Sequence, residues 1–192
     1  AGGPADSSGI TYGRLRAGEA WHWPVTAERH PGTPRVFVDG FAHSDGLARL
    51  VAVDHRGPVE SADAEFPLYA TTGRVLAHYQ SGAQTRLVSE LVAAAPEAYV
   101  EIHPDTAVRA SLVDGGLAWV VSRRGRVRVR VRCVGSMRLD VVFVPFHFPG
   151  EGRANLLTNP ALDPTSRMPE FKVCAVRVEP DQSGQPSAGR TS

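Results

Sequence analysis

The chain is poor in several residue types and motifs, and each shortage removes a class of function. It has two cysteines, Cys133 and Cys174, in 192 residues. Two are too few for a disulfide scaffold or a four-thiolate metal site, and neither stands in a C-x-x-C spacing. Both lie in Val-rich runs and read as small buried hydrophobes in a reducing compartment. Of 21 basic residues, Lys172 is the only lysine. Basic and acidic residues nearly cancel, 21 against 20, leaving a net charge of +1. No charge excess is therefore available to neutralise nucleic-acid phosphates. No run approaches the ~18 apolar residues of a membrane span. There is no G-x-S-x-G, no P-loop, no G-x-G-x-x-G and no Cys/His pair in a catalytic context. By itself the chain does not read as a complete catalyst, and no residue is nominated as catalytic or metal-ligating. Its first residues, Ala1-Gly-Gly-Pro4, lack both an initiator Met and an apolar signal core, so the expectation is a piece of a longer protein.

What is present is enough for a core. Hydrophobic residues make up 42% of the chain, which excludes wholesale disorder. The 19 glycines and 15 prolines favour turns and short strands over long helices. Residues 1–65 are rich in Gly, Pro, Asp and His, with a strand-like run at Arg35–Asp39 and a helical turn near Thr11–Ala17. They read as an extended arm without its own core. From Phe66 onward, strands are expected at Leu68–Thr71, Tyr99–Ile102, Leu117–Ser122, Val127–Val134, Asp140–Val144 and Lys172–Val178. The clearest signal is Val127 to Val134, where Val127, Val129, Val131 and Cys133 alternate with Arg126, Arg128, Arg130 and Arg132. Strict period two buries one face and turns the other to water or acidic neighbours. Short helices are expected at His103–Ala107 and over Thr85–Val92. The fold class is mainly β (α+β), a compact β-barrel over 66–180. The polar segment 181–192 reads as a disordered tail.

Three segments carry candidate chemistry. In Leu68–Gly82 a strand ends at Thr71 and Thr72, Gly73 permits a tight turn, and Arg74 follows. Hydroxyls, backbone amides and a guanidinium fork suit pyrophosphate or ribose oxygens. His78, Tyr79, Gln80 and Ser81 then bring mixed donors, acceptors and a flat ring to one place. A polar strand-to-loop transition without a ligand has the same pattern. In Val144–Thr158 a hydrophobic strand runs into an aromatic, Gly- and Pro-rich loop containing Phe146 and His147 and reaching Asn155. His147 has no second ligand at metal spacing. In Asp163–Lys172 the sole lysine opens the last strand, a position that is ordinarily solvated.

Read in order, these segments resemble one family. Its sequence of motifs is Pro67-Leu-Tyr-Ala-Thr-Thr-Gly-Arg74, Tyr99-Val-Glu-Ile-His-Pro-Asp105, the Asp114-Gly turn, Ser122-Arg-Arg-Gly125, Asn155-Leu-Leu-Thr158, Asp163-Pro and Glu170-Phe-Lys-Val-Cys-Ala-Val176. Together they resemble the C-terminal dinucleotide-binding domain of the dimethyl sulfoxide reductase family of molybdenum or tungsten bis-pterin oxidoreductases. The likeness covers Pro67–Val178, and residues 21–50 are similar to the connector preceding that domain. The resemblance implies a double-psi β-barrel closing over one of two molybdopterin guanine dinucleotides of a molybdenum cofactor. Carried over by position, Thr72, Gly73, Arg74, Val75, His78, Tyr79, Gln80 and Ser81 would line the dinucleotide. Asn155 and Lys172 would reach the pterin, and Phe146 and His147 would lie near the substrate funnel. A [4Fe–4S] cluster and the metal ligand would belong to upstream domains of the same polypeptide.

Within the family, Arg74–His78 and Asp163–Lys172 look most like nitrate reductases of the assimilatory, cytoplasmic branch, fed by an electron-donor protein or domain and acting on a small oxyanion. Gln80 stands where periplasmic relatives usually carry His, Asp114-Gly-Gly-Leu replaces a commoner Asp-Gly-Asp turn, and Leu47 stands where Arg is frequent. A formate dehydrogenase catalytic subunit shares most of the same motifs and is the alternative. From another class, a stand-alone nucleotide-binding barrel without redox activity would bind guanine nucleotide without metal.

Overall fold

Alternation in the sequence becomes strand pairing in the computed structural model, which describes residue 3 and residues 5–184. Six strands form: β1 (Leu68–Gly73), β2 (Tyr99–Ile102), β3 (Leu117–Ser122), β4 (Arg126–Cys133), β5 (Val141–Pro145) and β6 (Cys174–Pro180). They close into a barrel in the order β1-β5-β2-β4-β3-β6. β1 pairs with β5 and β2 with β4 in parallel, and the other four pairings are antiparallel. This is the mainly β closed barrel that the sequence implied.

The core is the barrel interior, filled by period-two side chains from every strand. Leu68 and Ala70 meet Val100 and Ile102, Ala118 and Val120, the three valines of β4, Val142 and Val144, and Cys174, Val176 and Val178. Branched residues suit this pleated, enclosed surface. Burial pushes the Cys174 thiol up to about 11, so it remains an uncharged core group at neutral pH. Cys133, by contrast, is half-buried at the end of β4.

The outward arginines of β4 each find a separate partner. Arg126 lies over the Trp119 ring at 4.2 Å and Arg132 over Tyr99 at 3.5 Å. Arg128 pairs with Asp181 at 2.6 Å, and Arg130 pairs with Glu97. Cation–π and ion-pair contacts of this kind keep guanidinium groups flat against the barrel.

Differences from the sequence expectations have local causes. Arg35–Asp39 is a run of bends and turns, with Phe37 at φ 61° between Gly32 and Gly40, both at positive φ. The expected helix over Thr85–Val92 is broken into a 3₁₀ turn at Thr85–Leu87 and a helix at Ser89–Ala94, because the β-branched Val88 between them is extended. The last strand begins at Cys174, so Lys172 lies in the turn before it. A helix does start at Pro104, capped by the His103 side chain accepting from the Asp105 N–H. Of the expected tail, 182–184 form a 3₁₀ turn and 185–192 lie outside the described residues.

The chain divides into two compact units between His55 and Arg56. In the first, a short helix at Tyr12–Arg16 is capped by Thr11, and Arg14 ties loops together through the carbonyls of Gly9 and Glu28. Val25 is its one buried hydrophobic side chain among the described residues. The second unit starts ten residues before the expected barrel boundary, because residues 59–66 are fastened to the barrel. The Glu60 carboxylate pairs with Arg123 at 2.6 Å and Arg124 at 2.8 Å and accepts the Ala175 N–H. Glu170 accepts the Val59 N–H, and the Arg123 and Arg177 guanidinium groups lie over the buried Phe66 ring.

Burial alone would raise the Glu60 carboxyl, but hydrogen bonds from Arg124, Arg123 and the Ala175 N–H outweigh it and hold the group below its ordinary value. Its stabilisation is therefore complete above the unfolded carboxyl value, about 4.3, and is lost as pH falls through the lower folded value. In the full-length protein, Glu60→Gln is expected to lower the unfolding midpoint at neutral pH. Midpoints measured against pH should show the gap from the parent closing below about pH 4. A gap that stays constant to the acid limit would remove Glu60 from the ionic fastening.

Candidate functional site

Because β1 and β5 are parallel, their ends lie side by side. Gly73 is opposite Pro145, and the Phe146 N–H donates to the Gly73 carbonyl at 3.2 Å. The loops that follow, 74–82 and 146–152, therefore leave the barrel at the same end. A Cβ at Gly73 would come within 2.5 Å of the Phe143 ring, so any side chain there would have to displace that ring.

These loops, with residues 155–172, enclose a cavity of about 880 Å³. Thr72, Arg74, Gln80, Ser81, Phe146, Asn155 and Lys172 are in its lining. Thr158, Asn159, Pro169 and Phe171 complete the lining. Arg74 also borders a second cavity of about 860 Å³, which Val75 lines with Tyr99 and Phe143.

The main cavity is electrostatically one-sided. No carboxylate is among its lining residues, whereas Arg74 and Lys172 both are. Arg74 makes no ion pair or hydrogen bond among the described residues. Lys172 Nζ donates to the Thr72 carbonyl at 2.7 Å and lies 5.5 Å from the Phe146 ring centre and 5.2 Å from that of Phe171. Thr72 Oγ1 in turn donates to the Phe171 carbonyl at 2.8 Å, tying the end of β1 to the turn before β6.

Several donors at this mouth are unspent. The backbone N–H groups of Gln80 and Ser81 are not donated within the described residues, nor does the Asn155 side-chain amide have a partner there; those of Leu76 and Ala77, also undonated, border the second cavity. Gln80 is in the left-handed region at φ 49°, within the turn from Tyr79 to Gly82 that leaves two successive amides undonated. An uncompensated guanidinium beside free amides is an anion cradle. These groups fit a pyrophosphate-bearing dinucleotide, and the cavity has the volume for a large ligand.

Neither candidate histidine, His78 or His147, is in the lining of the main cavity. His78 is buried, its Nε2–H donating to the Ala95 carbonyl at 2.8 Å and its Nδ1 accepting from Thr85 Oγ1 at 3.0 Å. His147, expected near a substrate funnel, is only 1% exposed. Its Nε2 accepts the Val75 N–H at 2.9 Å, and its Nδ1 donates to the Gln80 carbonyl. Both imidazoles are thus spent on holding the loop, because a backbone turn that leaves amides free needs its remaining groups satisfied elsewhere. Gly73 and Tyr79 are outside the lining as well, and Tyr79 is largely exposed.

Four further residues shape the site. Arg86 donates to the carbonyls of Ser81 and His147, both at 2.6 Å, a second fastening between the two loops. Gly82, at φ 72°, makes room for it, since a Cβ there would sit 2.7 Å from Arg86 Nη1. Asn159, a lining residue, donates its amide to Glu170 and to the Val173 carbonyl. Phe171 supplies a ring beside Lys172. Period and motif leave Arg86 and Asn159 unmarked, because the His147 and Val173 carbonyls they hold are backbone groups that carry no residue type, whereas Gly82 and Phe171 stand inside segments already singled out.

Residues 68–175 match the model of the family described as Molydopterin dinucleotide binding domain. The chain is 46% identical over 181 residues to the assimilatory nitrate reductase catalytic subunit of Bacillus subtilis, covering 93% of this chain and 26% of that protein. It is 41% identical over 172 residues to the F420-dependent formate dehydrogenase 1 subunit alpha of Methanococcus maripaludis, covering 90% and 25%. The chain thus spans about a quarter of the length of these relatives. Among solved structures, acetylene hydratase from Pelobacter acetylenicus shares the fold with a TM-score of 0.55 at 20% identity, over 61% of this chain and 19% of that one. The closed barrel, the cationic cavity at its mouth and the match along 68–175 have one conclusion: the chain belongs to the molydopterin dinucleotide binding domain family.

Proposed function

We propose that the chain is the cofactor-closing domain of a molybdenum bis(molybdopterin guanine dinucleotide) oxidoreductase that reduces nitrate to nitrite. The observation that carries this reading is the uncompensated Arg74 among undonated backbone amides, in a cavity lined without a carboxylate. Arg74 and the Gln80 and Ser81 amides would hold the pyrophosphate. The free Asn155 amide and Lys172 would meet the pterin, with Thr72 and Phe146 bordering it. Val75 would contribute from the second cavity, while Gly73, His78 and His147 would keep the loop in shape and Tyr79 would lie at its outer rim. The chemistry the cofactor supplies when bound is two-electron oxygen-atom transfer: nitrate, two protons and two electrons give nitrite and water. This chain's residues would bind, orient and exclude water.

The nitrate assignment is supported by the 46% identity to an assimilatory nitrate reductase catalytic subunit. With it come a cytoplasmic setting, a [4Fe–4S] centre and an electron donor outside this chain, and residues 1–65 as the connector to preceding domains. No helix among the described residues is long and apolar enough to cross a membrane. Formate oxidation is the second reading, favoured by the 41% identity to a formate dehydrogenase subunit.

Nitrate-dependent oxidation of a reduced viologen dye by the full-length protein separates the two. Turnover with nitrate is expected. Formate-dependent dye reduction without nitrate turnover, in protein verified to hold the cofactor, would transfer the assignment. Arg74→Ala is expected to lower bound dinucleotide, measured as GMP released by acid hydrolysis, more than it lowers the unfolding midpoint. Lys172→Ala should act in the same direction, weakening binding by about 1.5–3 kcal/mol for one charge-assisted bond. Normal dinucleotide content in an early-melting Arg74→Ala protein would make Arg74 a structural residue.

A further inference from the structure

His147 is the one polar side chain among the large, fully enclosed ones. Its two ring nitrogens meet backbone groups whose roles are fixed. The Val75 N–H can only donate, so Nε2 must present its lone pair; the Gln80 carbonyl can only accept, so Nδ1 must carry the proton. One neutral tautomer satisfies both. Val75 and Gln80 bracket Leu76–Tyr79, and the undonated amides stand at Leu76, Ala77, Gln80 and Ser81. A single imidazole thus fixes both ends of the stretch that presents them.

Protonation would set an Nε2–H against the Val75 N–H and break that bond. Burial opposes the imidazolium first. Of the charged or titratable groups that face it, His78 (ring centres 5.9 Å apart), Arg74 and Arg86 also oppose a positive charge, and the Gln80 carbonyl alone favours it. The balance holds His147 below the ordinary histidine value.

We infer that His147 is a positioning residue for the dinucleotide-facing loop, and that cofactor retention depends on its neutral Nδ1–H form. The inference rests on the reading of this loop as dinucleotide-binding. A lowered folded value makes the fastening complete above about pH 6.5, and it is lost as the pH falls through His147's own lower value.

The test uses the full-length protein with His147→Gln and His147→Phe. A glutamine amide can accept from Val75 and donate to Gln80 but does not titrate near neutrality, whereas phenylalanine fills space and does neither. Two quantities are read: dinucleotide retained after dialysis, as GMP released by acid hydrolysis, at about pH 7.5 and at the lowest pH at which the parent stays folded, and amide exchange at Val75. The parent should retain less at the lower pH, and the Gln variant should retain equally at both. The Phe variant should exchange Val75 roughly tenfold faster, the effect of one lost hydrogen bond, and retain little at either pH. Parent-like Val75 exchange and retention in the Phe variant would overturn the inference, as would an unaltered acid loss in the Gln variant. If the Phe variant does not fold, the pH profile of the Gln variant decides. Fast Val75 exchange in protein that never holds a guanine nucleotide would uphold the fastening and sink the reading of the site instead.

Discussion

The parallel pairing of β1 with β5 is the constraint on which the site depends. Antiparallel neighbours would send their following loops to opposite ends of the barrel, whereas parallel neighbours send both to one end. Gly73 beside Pro145 therefore delivers the 74–82 and 146–152 loops to a common mouth. Sharing a mouth does not give the loops a shape, and three side chains supply it. His147 grips Val75 and Gln80 from below. Arg86 joins Ser81 to His147, and His78 anchors the same loop to Thr85 and Ala95. With these polar groups directed inward, the Gln80 and Ser81 amides and the Arg74 guanidinium have no partner among the described residues.

The same economy explains where charge appears on the barrel. Four arginines alternate along β4, a pattern that by itself is compatible with a phosphate track. Each is held against the surface by a ring or a carboxylate: Trp119, Asp181, Glu97 and Tyr99. Arg123 and Arg124 are likewise taken up by Glu60. Arg74 differs because nothing in the described residues neutralises it. Surface ion pairs add little to stability singly, but here they leave Arg74 as the guanidinium without a counter-charge in the lining of the main cavity.

Strands were legible where burial imposes period two. Tyr99–Ile102 and Leu117–Ser122 are found at the expected bounds, and Val127–Cys133 shows its alternation directly in burial. The family motifs also placed Arg74, Gln80, Ser81, Asn155 and Lys172 in the segments that line the cavity. What stayed hidden is which polar groups face inward. His147 lies 72 residues from Val75 and 67 from Gln80 in sequence, and both partners are backbone atoms, which carry no residue-type signal. Its aromatic, Gly- and Pro-rich surroundings read as a loop of the kind that carries sites, yet the imidazole is enclosed. Arg35–Asp39 misled in the opposite sense: its composition is strand-like, but Phe37 at positive φ breaks the extended backbone.

If the fastened loop is the dinucleotide-binding surface, its free amides must change partners when the cofactor binds. The most direct measurement is amide hydrogen exchange at Gln80 and Ser81 in the full-length protein, prepared with and without the dinucleotide. Both amides should be slowed by the cofactor, while Val75, already bonded to His147, is slow in either state. Equal exchange at Gln80 and Ser81 in the two preparations, with cofactor content verified, would contradict the assignment of this loop as the binding surface.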